Sequence, residues 1–400
     1  MSSPTRRALL AGAAVAGFAT AAAAQDASNP IVGNKGGTIL GPRNPDISAE
    51  NKDFLHPPGT DHGSIPNLHY AFADTHVKMS QGGWSREVTV RELPVATSIA
   101  GVNMRLNKGG VRELHWHKQA EWAFVLAGNA RITAVDNDGH NFTDDVTVGD
   151  LWYFPSGIPH SIQGLEPDGC EFVLAFPDGK FSEDSTFSIT DMFAHMPKEV
   201  LAKNFSVDKA AFDHIPRKER FIFPVALPPA LNDDRIKDPD GKVALDMKFK
   251  MMAMQPDQAP GGTVRVVDMR NFPVSSDIAA ALVEVKPGHM REIHWHPISD
   301  EWQYYISGQG RMTVFGAQTN ARTFDYRAGH VGYVPKSMPH YVENTGNEPL
   351  RFLELFAAGR YMDVSLAQWM ANTPHELVEA HLNIDSKLVD AISKEKRAIV

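Results

Sequence analysis

Short runs in which apolar and polar residues alternate recur along the chain, for example at residues 283–285 and 311–315. Alternation with a period of two is typical of strands that have one face in a core and the other in solvent. Turn-forming residues break these runs at close spacing, as in Asn-Asp-Gly at 137–139 and Pro-Gly at 287–288. Many short strands with regular turns predict an all-β fold, an antiparallel sandwich or jelly-roll β-barrel.

The chain contains the same pattern twice. Residues 109–128 match residues 288–308, and residues 149–162 match residues 329–342. The offset is 180 residues from Phe176 to Phe356 but 177 from Pro197 to Pro374, so repeat one has three extra residues between Phe181 and Asp191. Each repeat then ends in a helical segment with a proline near its start, where the missing N–H costs nothing. The sequence therefore predicts two tandem domains, each followed by a short helical segment.

We expect the following organisation along the chain. Residues 1–24 read as a twin-arginine signal peptide, with Arg6-Arg7, an Ala-rich apolar stretch and a small-residue cleavage site. This predicts an exported protein, periplasmic or secreted, although a membrane anchor is the alternative interpretation of the stretch. The remaining predicted parts are an extended arm (25–61), domain 1 (62–219) with an insertion at 181–187 and helices at 190–215, a connection (220–262), and domain 2 (263–400) with helices at 365–395.

Composition narrows the function classes. The 400 residues carry a formal net charge of −9, which argues against a nucleic-acid partner. Cys170 is the single cysteine, which excludes a disulfide scaffold and a cysteine-rich metal site. Beyond the leader no apolar stretch is long enough to span a membrane, so no membrane partner is expected after cleavage. Trp122, Trp152 and Trp302 are expected to pack within the barrels or to form the wall of the pocket.

Each repeat carries a set of three histidines and one glutamate. A His-x-His pair on a strand places both imidazoles on one face, and the glutamate and third histidine come from neighbouring turns and strands. Such a set leaves two positions of an octahedron open and suits Mn(II) or Fe(II) better than structural zinc. The predicted ligands are His115, His117, Glu121 and His160 in repeat one, and His294, His296, Glu301 and His340 in repeat two.

These ligands lie in motifs that resemble those of the cupin superfamily. The first motif, Gly-x5-His-x-His-x3,4-Glu-x6-Gly, occurs in both repeats, and the second, Gly-x5-Pro-x-Gly-x2-His-x3-Asn, occurs with Gly164 at the Asn position and Ser337 at the second Gly position. The chain after the leader resembles the bicupin oxalate decarboxylases closely, notably in RELHWHKQAEWAF (112–124) and FSEDSTF (181–187). The resemblance implies cupin barrels, manganese at both sites, oxalate as substrate and a homo-trimer or homo-hexamer.

The resemblance also implies a mechanism. Oxalate is converted to formate and CO2 by a radical course that uses dioxygen as a co-substrate without consuming it. Loss of CO2 leaves a one-carbon intermediate that needs a proton, and Glu183 in the mobile lid at 181–187 supplies it. Repeat two lacks the insertion and has Asp363 in its place, where we expect substitution to have little effect.

The resemblance gives Arg112 and Arg291 the role of holding the oxalate carboxylate. Strict strand alternation points Arg112 away from His115 and places Glu113 inward instead, so the two arguments disagree, and we follow the resemblance. A surface Arg112 paired with Glu113 is the alternative. Glu354, on an otherwise apolar strand, is expected near site two, either as an acid or as a buried ion-pair partner.

Two other functions remain compatible with parts of the pattern. An oxalate oxidase, which makes CO2 and hydrogen peroxide, has the same ligands and differs in the acid and its lid. A storage or manganese-binding bicupin without turnover predicts degraded metal sets or no lid. Both metal sets here are complete and the lid is present, which favours the decarboxylase.

Overall fold

Strands dominate the computed structural model, which describes residues 42, 44, 47, 58–237 and 241–400. The predicted signal peptide and nearly all of the predicted arm lie outside these residues. The strands of the first half are β1 His69–Ala71, β2 Lys78–Ser80, β3 Gly83–Val88, β4 Ala100–Leu106, β5 Gly110–Trp116, β6 Glu121–Val135, β7 Asn141–Thr147, β8 Leu151–Phe154, β9 His160–Gly164, β10 Cys170–Phe176, β11 Phe187–Ser188, β12 Ile222–Pro224 and β13 Lys248–Phe249.

The second half repeats this order. Its strands are β14 Asp257–Ala259, β15 Gly262–Val267, β16 Ala279–Val285, β17 Met290–Trp295, β18 Glu301–Ser307, β19 Gln309–Gly316, β20 Asn320–Arg327, β21 His330–Val334, β22 His340–Asn344, β23 Leu350–Phe356 and β24 Val364–Ser365. In both halves the ladders are antiparallel, as the alternating pattern predicted. The all-β fold is therefore confirmed.

Two layers of sheet form each barrel. In the second half they are separate, with strand orders β1-β21-β18-β23-β16-β15-β14 and β20-β19-β22-β17-β24. In the first half the long strand β6 runs through both layers and joins them into one sheet, because its beginning pairs with β8 and β10 and its end with β7 and β9. The inner faces of both barrels carry the metal-ligand motifs.

Short helices follow each barrel where the prolines predicted them. The helices are α1 Ile189–Ala194, α2 Lys198–Phe205, α3 Leu231–Asp234, α4 Leu366–Ala371, α5 His375–Leu382 and α6 Ser386–Ala391. Pro197 and Pro374 are the residues immediately before α2 and α5. Over the described ranges, none of the helices has the length and apolar character needed to cross a membrane.

The two barrels share an apolar core. Trp122 and Trp302, at matching positions of the repeats, are both fully buried in one cluster that draws residues from both halves. The contact is close, since a β-carbon added to Gly101 would lie 2.2 Å from the ring of Trp302. Trp302 therefore packs where the two barrels meet, a contact that the sequence analysis did not assign to it.

Strand β1 belongs to the second barrel, although the sequence analysis placed its residues in domain 1. His69–Ala71 pairs with His330–Gly332 of β21, and the backbone of His62 bonds to that of Ala321. The predicted start of domain 1 at residue 62 thus includes a segment that completes the sheet of domain 2. The predicted connection 220–262 likewise contributes structure, because β12 pairs with β5 and β13 with β8.

Candidate metal and oxalate site

The four predicted ligands of repeat one converge in the first barrel. His115 lies on β5, His117 just after it, Glu121 begins β6 and His160 begins β9. All four are buried, and their potential ligand atoms lie within 4.8 Å of one another. Glu121 Oε2 is 3.2 Å from His117 Nε2 and 3.4 Å from His160 Nε2.

Repeat two forms the same cluster in the second barrel. Its ligands His294, His296, Glu301 and His340 are buried within the same mutual distance. Glu301 Oε2 lies 3.2 Å from His296 Nε2 and 2.8 Å from His340 Nε2. The antiparallel pairing of β17 with β22 brings His294 opposite His340, just as β5 and β9 bring His115 opposite His160.

The hydrogen bonds of the histidines prepare every ring for a metal. Each of the six Nδ1 atoms lies 2.6–3.0 Å from a backbone carbonyl oxygen. A carbonyl only accepts, so Nδ1 carries the hydrogen and Nε2 presents its lone pair to the cluster. Nε2 of His160 and of His340 is buried without a hydrogen-bond partner among the described residues, as is Oε2 of Glu301.

Electrostatics favour the neutral form of the first histidine in each set and the ionised form of Glu121. Burial lowers the pKa of His115 and His294 well below the usual value, and the adjacent Arg112 and Arg291 lower it further. Burial alone would raise the pKa of Glu121, but the His160 and His117 rings outweigh it and the pKa is lowered. Neutral imidazoles with a carboxylate are what a divalent cation requires. The donor set therefore fits a manganese ion at each site.

The two ligand glutamates are held by different groups. At site one the indole Nε1 of Trp152 donates to Glu121 Oε1 over 2.9 Å. At site two the amide of Gln303 donates to Glu301 Oε1 over 2.7 Å, and Gln303 in turn accepts from the Tyr305 hydroxyl. The sequence analysis placed Trp152 in the barrel packing or the pocket wall and missed this hydrogen bond. The available signal was that Trp152 aligns with a glycine, Gly332, so the second repeat must hold its glutamate differently.

The departures from the second motif leave the third histidine in place. Gly157 and Ser337 both have positive φ, 77° and 65°, so the serine adopts the left-handed turn conformation that glycine usually supplies. At Gly164, where the motif has Asn, a β-carbon would lie 2.4 Å from the carbonyl oxygen of Asn107. The close approach of this backbone explains the glycine.

Arg112 faces the metal cluster side of the strand because the strand is irregular. The pairing of β5 with β9 shifts register between Arg112 and His115, so the alternation that pointed Arg112 outward fails there. Its side chain is 1% exposed. Glu113 is also buried and accepts bonds from the backbone N–H groups of Thr190, Arg220 and Phe221, so it is no partner of a surface arginine.

Glu183 lies in the predicted lid and reaches Arg112. Residues Glu183–Ser185 form a single 3-10 turn capped by Ser182, whose hydroxyl accepts from the N–H of Asp184. Glu183 Oε2 is 3.2 Å from Arg112 Nη2, and the side chain is 8% exposed. Asp184, by contrast, is exposed and pairs with Lys78 at 3.4 Å. The structure thus brings the predicted acid and the predicted carboxylate-holding arginine together.

Site two surrounds its arginine with bonded partners. Arg291 Nη2 donates to Asp363 over 2.6 Å and to the Tyr361 hydroxyl over 2.8 Å, and Nε lies 3.4 Å from Glu354 Oε1. Arg291 and Glu354 are fully buried. Burial raises the pKa of Glu354, although Arg291 opposes this. Of the two expected positions for Glu354, this geometry is that of the buried ion-pair partner.

Asp363 has a structural role at site two, as an ion-pair partner. Arg291 and Lys396 hold its pKa at about 2, against burial that would raise it. Removing the carboxylate would leave Arg291 short of a charged partner in the interior, which is costly. We therefore expect substitution at Asp363 to destabilise the folded protein. Asp363 is for this reason not a neutral control for substitutions at Glu183.

Comparison with known proteins gives one consistent result. The cupin family matches residues 69–212 and again residues 253–390. The chain is 54% identical to oxalate decarboxylase OxdC of Bacillus subtilis, over 94% of this chain and 97% of that protein. It is 41% identical to a probable oxalate decarboxylase of Arthroderma benhamiae, over 92% of this chain and 91% of that protein.

Solved structures agree with this. The structure of the Bacillus subtilis oxalate decarboxylase at pH 4.6 matches with a TM-score of 0.90 and 54% identity, over 94% of this chain and 98% of the other. Another structure of that enzyme, from a study of its Mn(II) centres, has a TM-score of 0.90, 53% identity, and coverage of 94% of this chain and 99% of the other. Two cupin barrels, two His3Glu clusters and full-length similarity place this chain in the bicupin oxalate decarboxylase family.

Proposed function

We propose that this oxalate decarboxylase converts oxalate to formate and CO2 at site one, with Glu183 as the acid and Arg112 as the group that holds the substrate carboxylate. The observation that supports this most directly is the 3.2 Å contact between Arg112 and Glu183 beside a complete ligand set. An acid within reach of the bound carboxylate is the feature that separates a decarboxylase from an oxidase.

The overall reaction balances without an external oxidant. The oxalate monoanion loses CO2 as its C–C bond breaks, and a C–H bond forms on the remaining carbon to give formate. Manganese, two ions per chain in this proposal, supplies open coordination positions and a redox-capable centre when bound. Dioxygen as a co-substrate that is not consumed stays a prediction.

Arg112 and Glu183 have separate tasks in this scheme. A guanidinium holds a carboxylate by charge-assisted hydrogen bonds and fixes the orientation of the C–C bond. Among the described residues, Nε and Nη1 of Arg112 have no hydrogen-bond partner, so donors remain for a substrate. Glu183 then protonates the carbon that has lost CO2, and the next monoanion of oxalate returns a proton to the site.

Site two is less suited to the same task. Arg291 donates to Asp363, to Tyr361 and to the backbone carbonyl of Ala398, so much of its donor capacity is already used. Its surroundings contain no lid insertion. We therefore assign turnover to site one and metal binding without decarboxylation to site two.

Product analysis tests this proposal against the oxidase alternative. Metal-replete protein is given oxalate at acid pH, and formate, CO2 and peroxide are quantified together. One formate and one CO2 per oxalate is the decarboxylase result. Two CO2 with peroxide is the oxidase result, and no product with bound manganese would support the binding or storage alternative.

Export and assembly complete the proposal. We propose that the twin-arginine leader directs the folded protein to the periplasm or outside, and mass spectrometry of exported protein for a new N-terminus after residue 24 tests this.

We also propose a homo-trimer or homo-hexamer. Support comes from apolar side chains left exposed on the helices of both repeats, among them Val200, Phe205, Leu377 and Leu382. Light scattering in solution measures the oligomer mass.

A further inference from the structure

A second carboxylate lies beside Arg112. Glu219 Oε1 is 3.7 Å from Arg112 Nη1, while Glu183 lies on Nη2, so the guanidinium sits between two glutamates. Glu219 comes just before β12, whose pairing with β5 sets Ile222 opposite Arg112. The position of Glu219 is therefore fixed by the strand that covers the arginine. The sequence analysis had no reason to single it out.

We propose that Glu219 is a positioning residue that competes with the substrate for Arg112 and thereby makes oxalate binding at site one depend on acid. When the Glu219 carboxyl is ionised, it competes with the substrate carboxylate for Arg112. When it is protonated, the guanidinium charge is left for the substrate. This inference rests on the proposed role of Arg112 in substrate binding.

The surroundings of Glu219 suit a group that changes charge in use. Burial raises its pKa, Arg112 and Lys78 lower it, and Glu113 and Glu183 raise it again. The net direction is upward, so protonation begins at a higher pH than for a free glutamate. The side chain is 31% exposed, which allows proton exchange with solvent, while Oε1 is buried without a hydrogen-bond partner among the described residues.

The second repeat has the opposite charge at this position. The offset of 177 residues aligns Glu219 with Lys396, and Ile399 faces Arg291 as Ile222 faces Arg112. Lys396 pairs with Asp363, which is the nearest charged partner of Arg291. The position therefore controls the charge around the arginine in both barrels, but a titrating acid stands there only at site one.

Steady-state kinetics of Glu219→Gln against pH test the proposal. At pH 4 both proteins carry a neutral group at this position, so KM for oxalate should be similar. Toward pH 7 the KM of the wild type should rise above that of the variant by roughly five- to tenfold, the effect of one nearby charge on binding an anion. Because oxalate itself ionises identically in both experiments, the ratio of the two KM values isolates Glu219. The kcat values should stay within about twofold, since Glu183 remains.

Two further variants control this experiment. Glu219→Asp keeps a titrating carboxyl and should restore most of the acid dependence of KM. Glu199→Gln removes the same charge from an exposed pair with Lys209 and should reproduce the wild-type profile. Manganese content and thermal unfolding of all variants show whether folding and metal loading are intact.

A binding measurement separates this inference from the proposed reaction. Calorimetry of formate binding at pH 4.5 and pH 6.5 reports on the carboxylate site without turnover, so it holds even if Glu183 is not the acid. Formate affinity should fall with pH less in Glu219→Gln than in the wild type. Parallel KM and formate-binding profiles in the two proteins would overturn the proposal, as would a loss of kcat at unchanged KM.

Discussion

His296 donates its Nδ1–H to the carbonyl of Met362, 2.8 Å away. Its counterpart in repeat one, His117, donates to Gln119 in its own loop instead. The segment of repeat two that corresponds to the lid is thus tied directly to a metal ligand. Among the described residues, the lid of repeat one makes no hydrogen bond to His117 and touches that ring only through Phe181, at 5.8 Å between ring centroids. This difference is a physical reason to expect the moving acid at site one.

Glu183→Ala should lower formate production by roughly 10²-fold or more, the usual scale for losing a positioned general acid. The carbon that has lost CO2 then goes unprotonated, so residual turnover should shift toward CO2 and peroxide. Manganese content should be unchanged, because Glu183 is not one of the metal ligands. The protein should still fold but with a lowered unfolding temperature, because buried Arg112 loses its nearest charged partner. Product assays, elemental analysis and a thermal melt make the comparison.

Asp184→Ala is the matched control for this substitution. Asp184 is the next lid residue, carries the same charge and is 79% exposed in its pair with Lys78. Exposed pairs contribute little, so activity should stay near the wild-type level. Full formate yield in Glu183→Ala, together with loss of yield in a site-two ligand variant, would show that the working site is misassigned.

Manganese content should approach two ions per chain. Each barrel presents a complete buried set with all its Nε2 atoms free of backbone bonds. His294→Ala should reduce the content to about one ion per chain and leave site one loaded, because the sites lie in separate barrels. Elemental analysis that finds zinc alone, or a single ion in the wild type, contradicts this expectation.

Turnover should be fastest in mild acid, at about pH 4–5, since the reaction needs a protonated carboxyl group late in the cycle. The oxalate monoanion, which carries its own proton, is also more abundant there. Initial rates of formate production from pH 3 to pH 8 make the measurement. A flat profile through pH 8 is the opposing result.

The contact between His69 and His330 should make the chain less stable in acid. The two rings are joined at 2.7 Å, and burial followed by the charge of His330 lowers the pKa of His69 to about 3. The unfolded chain binds this proton below about pH 6.5, but the folded chain does not. Stability present above pH 6.5 is therefore lost as the pH falls toward 3, on the order of 3 kcal/mol at pH 4.5.

Melting temperatures at pH 7 and pH 4.5 check this expectation. His69→Gln keeps a donor toward His330 and should show a smaller drop between the two values than the wild type. The exposed His195→Gln is the control and should show the wild-type drop. Equal drops in all three proteins would mean that His69 does not contribute.

Repetition in the sequence made most of the fold and the ligand sets predictable. Each copy of His-x-His, with a glutamate and a later histidine, indicates which strands must lie side by side to form a metal site. Antiparallel pairing of those strands brings His115 opposite His160. Arg112 shows the limit of the period-two argument. A register shift is set by contacts with neighbouring strands, which a local pattern does not contain.

Other features depend on contacts between distant segments. Trp152 reaches Glu121 only through the pairing of β8 with β6, and Glu219 reaches Arg112 only because β12 covers β5. Neither has a motif of its own. The sequence offers one clue in each case, a difference between the repeats. Repeat two has a glycine, Gly332, at the position of Trp152, and a lysine, Lys396, at the position of Glu219.

Strand β1 precedes the first barrel in the chain but pairs with the second, so the protein cannot simply be divided between its two repeats. If the gene were cut between the repeats, the second half would lose β1 and expose the backbone edge of β21, including residues 330–332. An open edge of this kind recruits strands from other molecules. The first half would in turn carry an unpaired segment that belongs elsewhere. The duplicated halves are therefore interlocked and no longer independent modules, and a functional split would have to leave residues 58–71 attached to the second barrel.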